Sequence, residues 1–148
     1  MAYLIDTNIL LCYLRTDKRQ ADEVDKTYAP FNQNSDPVCS VVSVGELKSL
    51  AIRNGWGAAR VANIPKLLDV MLVADINSDP VLDRYAEIEA YSQGKLPGRP
   101  LPQTARNMGK NDLWIAATAS VLGLPLLTTD PDFDHLDPAF LMVHRVVL

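Results

Sequence analysis

Histidine is almost missing from this chain. There are two in 148 residues, His135 and His144, at no spacing that lets them share a metal ion, so imidazole-based zinc chemistry is not expected. Cysteine is equally sparse: Cys12 and Cys39 lie far apart in apolar surroundings, with no C-x-x-C pair, and read as two buried thiols. That usage fits a reducing cytoplasm. No apolar run approaches the roughly 18 residues of a membrane span, so no membrane association is expected. The stretch Met1-Ala2-Tyr3-Leu4-Ile5-Asp6 has no basic region and meets an acid at once. It reads as the start of the fold and not as an export signal, and a cytoplasmic location is expected. Positive charge is also short, with a formal net charge of −4. A protein that grips nucleic acid by phosphate neutralisation alone is usually basic. Any such ligand would have to be held by metal ions, a local basic strip or a second subunit.

Internal repeats, low-complexity tracts and linkers are absent too, and at this length a chain buries roughly 68–70% of its unfolded surface. A single domain over residues 1–148 is expected, needing neither metal nor disulfide to fold. Tyr3-Leu4-Ile5 reads as a short buried strand stopped by Asp6. Helical spacing follows over Asn8–Arg15 and Arg19–Tyr28, then turn chemistry over Asn32–Pro37. Val38–Val42 is β-branched and predicts a second strand. Ser43-Val44-Gly45-Glu46 has the form of a capping box that opens a helix reaching Arg53. Gly57–Leu72 reads as a helix kinked or broken by Pro65, and Val73–Ile76 as a weak third strand. Asp79 or Ser78 can cap a helix that has Pro80 at its first position and runs to Ser92. Gly94–Gly109 is a long proline-bearing loop. Asn111 is expected to cap a helix over Asp112–Leu122 that Gly123 ends, with strands at Leu124–Thr128 and within Leu141–Leu148. Strands alternating with helices imply an α/β fold: a parallel sheet of four or five strands covered on both faces.

The placement of four acids is the informative feature. Asp6 ends the first strand, Glu46 lies near the start of the helix after the second, Asp112 opens the helix after the long loop, and Asp130 follows the fourth strand. Each has a modest structural explanation: a capping box, a helix dipole, a turn. Together they fall at strand C-termini or adjoining helix N-termini, the edge where open α/β sheets bind ligands. Like charges gathered there repel, by roughly 4 kcal/mol per pair at ~4 Å and an effective dielectric of 20. Such a cluster either protonates or binds a cation. Hard oxygen donors select magnesium or manganese over zinc, and such ions serve phosphoryl transfer.

Leu4-Ile5-Asp6-Thr7-Asn8-Ile9-Leu10, Ser43-Val44-Gly45-Glu46-Leu47, Asn111-Asp112-Leu113-Trp114-Ile115-Ala116-Ala117-Thr118-Ala119 and Leu126-Leu127-Thr128-Thr129-Asp130-Pro131-Asp132-Phe133, in that order, resemble PIN-domain nucleases. The resemblance is strongest to the VapC-like toxins of bacterial toxin–antitoxin pairs. It implies a three-layer α/β/α sandwich (PIN-like) and an endoribonuclease that cuts RNA with Mg2+ or Mn2+ to leave 5′-phosphate and 3′-hydroxyl ends. By position it implies that Asp6, Glu46, Asp112 and Asp130 are the catalytic, metal-binding acids. It further implies a cognate antitoxin and a homodimer. Thr128 matches a hydroxyl position that can orient water or an acid, and Asn8 is placed to support Asp6. Asp130, Asp132 and Asp134 alternate through one loop, so the fourth acid can slip in register; an inward Phe133 favours Asp130 over Asp132.

Lys95, Arg99, Arg106 and Lys110, in and after the long loop, are the candidate RNA contacts; Leu10, Leu14, Leu47, Leu50 and Trp56 could supply an apolar interface, though a core role is expected for most of them. Three other readings stand beside the toxin: a catalytically silent PIN-like RNA-binding or scaffold protein, an RNA-processing nuclease without antitoxin, and a phosphatase or receiver domain. The last is disfavoured because position 8 is Asn where a D-x-D nucleophile motif needs Asp, and no lysine follows the fourth strand.

Overall fold

In a computed structural model describing residues 1–148, the alternation of strands and helices resolves into a sheet of five short parallel strands. These are β1 (Leu4–Ile5), β2 (Val38–Ser40), β3 (Leu72–Ala74), β4 (Leu126–Thr128) and β5 (Val143–Arg145), in the order β3-β2-β1-β4-β5. All four pairings are parallel, with Leu4 in register with Val38 and Leu126, and Thr128 with Arg145. Six α-helices connect them: α1 (Thr7–Leu14), α2 (Arg19–Thr27), α3 (Val41–Arg53), α4 (Ala58–Leu68), α5 (Asp79–Ser92) and α6 (Lys110–Leu122). A 3₁₀ helix over Pro131–Leu136 lies between β4 and β5. The expected three-layer α/β/α sandwich is what forms.

The period of two along each strand sorts the core. Leu4, Val38 and Leu126 pack with Val81, Ile88 and Tyr91 of α5 and with Leu113 and Ala116 of α6. Their neighbours Ile5, Cys39 and Leu127 pack on the opposite side with Ile9, Leu10 and Leu14 of α1, Val24 of α2, Leu47 and Ala51 of α3, and Ile64 of α4. α6 buries Leu113, Ile115, Ala116, Ala117, Thr118 and Ala119, apolar nearly all round, as a helix inside a layer must be. Gly123 ends it at φ 65°, the left-handed closure only glycine adopts without strain. Both cysteines are buried and free. No helix is long and apolar enough to cross a membrane.

Several boundaries depart from the sequence reading. β2 stops at Ser40, not Val42, because the Ser40 hydroxyl caps α3 by accepting from the Val42 amide. The helix therefore starts at Val41, and Ser43 and Glu46 lie inside it; no capping box forms. Ser78, not Asp79, caps α5, so Pro80 occupies the second helical position, where its missing N–H is also harmless. Gly109, not Asn111, precedes α6, and its first turn is Lys110-Asn111-Asp112. Pro65 sits inside α4 without ending it, the helix stopping at Leu68. β3 is the exposed edge strand over Leu72–Ala74, beginning one residue and ending two residues before the expected Val73–Ile76. Leu10, Leu14 and Leu47 take the core role expected of them, while Leu50 and Trp56 are half-buried.

Candidate metal centre

Asp6 follows β1 directly, and the same two-residue period that turns Leu4 toward α6 turns Asp6 that way as well. It caps α1: its Oδ1 accepts from the Thr7 amide at 2.8 Å, and its Oδ2 from the Thr128 hydroxyl at 2.7 Å. With 3% of its surface exposed, the carboxyl is held by two donors yet cut off from water. Burial is the larger effect and pushes its pKa up to about 6, opposed by the Thr128 and Thr7 bonds and reinforced by Glu46 and Asp130.

Asp112 is the third residue of α6 and approaches from the neighbouring layer. Its pKa is pushed up to about 7, by burial first and then by Asp6, Asp130, Glu46 and Asp132. The four acids named from sequence thus share one field. The tightest grouping, however, is Asp112, Asp130 and Asp132, which each offer a carboxylate oxygen within 4.8 Å of one another. Asp130 and Asp132, the two alternatives for the fourth acid, thus stand in the same cluster. Asp130 caps the 3₁₀ helix through the Asp132 amide (2.9 Å), and its own amide donates to the Thr128 hydroxyl (3.0 Å). Thr128 thereby ties Asp6 to the loop that carries Asp130, the orienting role its position suggested. Phe133 is fully buried and anchors that loop, as expected.

Glu46 stands in the second turn of α3. The Thr7 hydroxyl donates to its Oε1 at 2.7 Å and lies 2.8 Å from the Ser43 hydroxyl. Thr7 and Ser43 were missed from sequence. The signal was present in Ser43, one helical turn before Glu46 and so on its face, and in Thr7, next to Asp6. Asn8, expected to support Asp6, does not: it is exposed and only its carbonyl is engaged, accepting from the Cys12 thiol. Thr7 has that place.

A cleft of about 360 Å³ beside the acids is lined by Glu46, Gly109, Lys110, Asn111 and Asp112. The metal-ligating side chains gathered there are carboxylates, and His135 is buried elsewhere against the Ser92 hydroxyl (2.7 Å). Several carboxylates confined together, two with pKa values raised toward neutrality, fit a divalent cation that prefers hard oxygen ligands. The basic strip is less coherent than its sequence suggested. Arg99 donates to the Ala139 carbonyl (2.7 Å) and stacks on Phe140, just ahead of β5 and so at the opposite edge of the sheet. Lys110 pairs with Glu89 at 2.6 Å, and Lys95 is exposed.

Residues 3–138 match the family described as the PIN domain. Over 102 residues, 68% of each sequence, the chain is 36% identical to Ribonuclease VapC5 of Mycobacterium tuberculosis. Its fold resembles VapBC2 from Rickettsia felis, solved bound to a DNA fragment from the promoter, with a TM-score of 0.71 and 18% identity over 98% of both chains. It also resembles VapBC-1 from nontypeable Haemophilus influenzae, with a TM-score of 0.71 and 23% identity over 98% of both chains. At those identities the structural likeness speaks for the fold.

Proposed function

Because this chain belongs to the PIN-domain family, we propose that it is a metal-dependent endoribonuclease, the toxin of a toxin–antitoxin pair. The observation that carries the catalytic part is the convergence of Asp112, Asp130 and Asp132 within 4.8 Å beside the buried Asp6, at the C-terminal edge of a parallel sheet. Binding alone gives no reason to gather carboxylates where an anionic ligand must sit. The toxin part is supported by the likeness to Ribonuclease VapC5 and to proteins solved as VapBC complexes. An antitoxin is accordingly the expected protein partner, and a homodimer the expected assembly.

In this reading Asp6, Glu46, Asp112 and Asp130, joined by Asp132, hold Mg2+ or Mn2+. When bound, the ion would neutralise charge developing on the phosphate and make water a competent nucleophile near neutral pH. The chain's own residues do the positioning. Thr128 fixes one oxygen of Asp6 and, through the Asp130 amide, the loop that bears the fourth acid. Thr7 turns the Glu46 carboxylate toward the same centre. With no cation present Asp112, whose pKa rises to about 7, holds a proton near neutrality, and Asp6, at about 6, gains one under mildly acidic conditions. Cation binding displaces those protons, so affinity falls as the solution is acidified through that range.

The test is cleavage of a defined single-stranded RNA with Mg2+ against EDTA, with the ends mapped. Cleavage that requires the ion, leaves 5′-phosphates and disappears in a folded Asp112→Asn variant is expected. Activity that survives EDTA or the substitution would remove the assignment.

A further inference from the structure

The acids have a flank that the site described above does not use. A cleft of about 540 Å³ runs the length of α1, from Asn8 to Arg15, and is bounded by Gln20, Thr129, Arg145 and Leu148, half of its lining residues being apolar. It adjoins the metal centre through the chain itself: Asn8 follows the Asp6-Thr7 pair, and Thr129 stands between Thr128 and Asp130. Arg145 is in register with Thr128, one strand spacing of roughly 4.8 Å from the residue that orients Asp6.

We propose that this cleft is a subsite for single-stranded RNA, in which Arg15 and Arg145 hold the backbone phosphate of a nucleotide beside the one that is cut. The inference rests on the nuclease reading and adds to it the means by which an acidic chain retains a polyanion. Arg15 follows α1 and makes no ion pair, so its guanidinium is available. Arg145 meets only Asp134, at 3.3 Å with both side chains well exposed, a contact weak enough for phosphate to displace. The acids further along the rim are already engaged, Asp17 by Arg19 and Glu23 by Lys26, each at 2.6 Å. Two guanidinium forks match phosphate oxygens in pairs, while Asn8, Gln20 and Thr129 supply groups for ribose or phosphate oxygens. Arg99 is committed to the Ala139 carbonyl and the Phe140 ring, away from the acids, so Arg15 and Arg145 add cationic contacts on a flank the long loop does not reach.

The experiment measures binding of a fluorescent single-stranded RNA of about ten nucleotides over a range of salt, with Ca2+ replacing Mg2+. It compares the wild type with Arg15→Ala, Arg145→Ala, the double variant and Arg53→Ala, a surface control on α3. Each cleft substitution is expected to weaken binding about five- to tenfold. Each should also flatten the dependence of log K on log salt by about 0.7, while Arg53→Ala moves neither. Cleavage with Mg2+ should show the loss in KM, with kcat within about twofold of wild type. Melting curves confirm that the variants fold. If the double variant binds and cleaves like the wild type, the subsite is refuted and the nuclease reading stands; the cleft would then suit an acidic segment of a protein partner. An equal loss in Arg53→Ala reduces the effect to net charge and refutes the subsite as well. A wild-type chain that neither binds nor cuts any RNA overturns both.

Discussion

Replacing Asp6 by Asn should make the protein more stable while abolishing its activity, and the size of the effect follows from the geometry. In the folded chain the Asp6 carboxyl is 3% exposed and its pKa rises from 3.8 to about 6. At pH 8 both folded and unfolded states carry the charge, and the native state bears the full penalty of holding it out of water. At 1.36 kcal/mol per unit this is about 3 kcal/mol. The amide removes that cost but spoils one contact. Its N–H2 replaces the oxygen that accepts from the Thr128 hydroxyl, which already accepts from the Asp130 amide, and a lost bond of this kind costs about 1 kcal/mol. A net gain of about 2 kcal/mol remains, or roughly 4–8 °C in Tm for a chain of this length.

The sign of the pH dependence separates this from generic stabilisation. A carboxyl with a raised native pKa contributes stability below its unfolded value of 3.8 and loses it as pH rises through about 6. The advantage of Asp6→Asn should therefore be full at pH 8, shrink through pH 6 and vanish or reverse by about pH 4. Thermal melts of both proteins in EDTA at these pH values measure it, and 10 mM Mg2+ should raise the wild type selectively. A variant destabilised by the same amount at pH 8 and pH 4 would refute the claim that burial of charge dominates at this site.

Two further outcomes follow from the same hydrogen bonds. Thr7→Val deletes the hydroxyl that holds Glu46 and meets Ser43; Mg2+ titrations of cleavage should show the half-saturating concentration rise about tenfold, and an unchanged titration would sink the positioning role. Asp130→Ala and Asp132→Ala should both weaken metal dependence, since both carboxylates lie in the cluster. Only the former should also lose about 1 kcal/mol of stability, because only Asp130 caps the 3₁₀ helix.

Much of this was legible in the residues, for a physical reason: short apolar runs that end on a polar residue admit few placements. Leu4-Ile5-Asp6 and Leu126-Leu127-Thr128 are buried on both faces, so their polar successors emerge at one edge and the cluster is expected there. The helix starts were harder. Ser43-x-x-Glu46 and Asn111 both carry capping chemistry, yet Ser40 and Gly109 begin the helices. A hydroxyl signals that it can bond locally, not with whom, and Ser43 spends its bond on Thr7 of the neighbouring helix α1.

The misplaced cap and the missed residue are the same event. As a capping box, Glu46 would reach back to the Ser43 amide and turn away from the other acids. Starting α3 three residues earlier moves Glu46 into the second turn, where its carboxylate is free of the helix end and can accept from the Thr7 hydroxyl. The alternation that places Leu4 and Val38 on one face carries Ser40 to that face too. Its hydroxyl is thus buried at the strand end, and capping α3 there satisfies it. One local cap displaced another: the buried hydroxyl at position 40 is paired by starting α3 there, and that start leaves Glu46 in the second turn, within reach of Thr7.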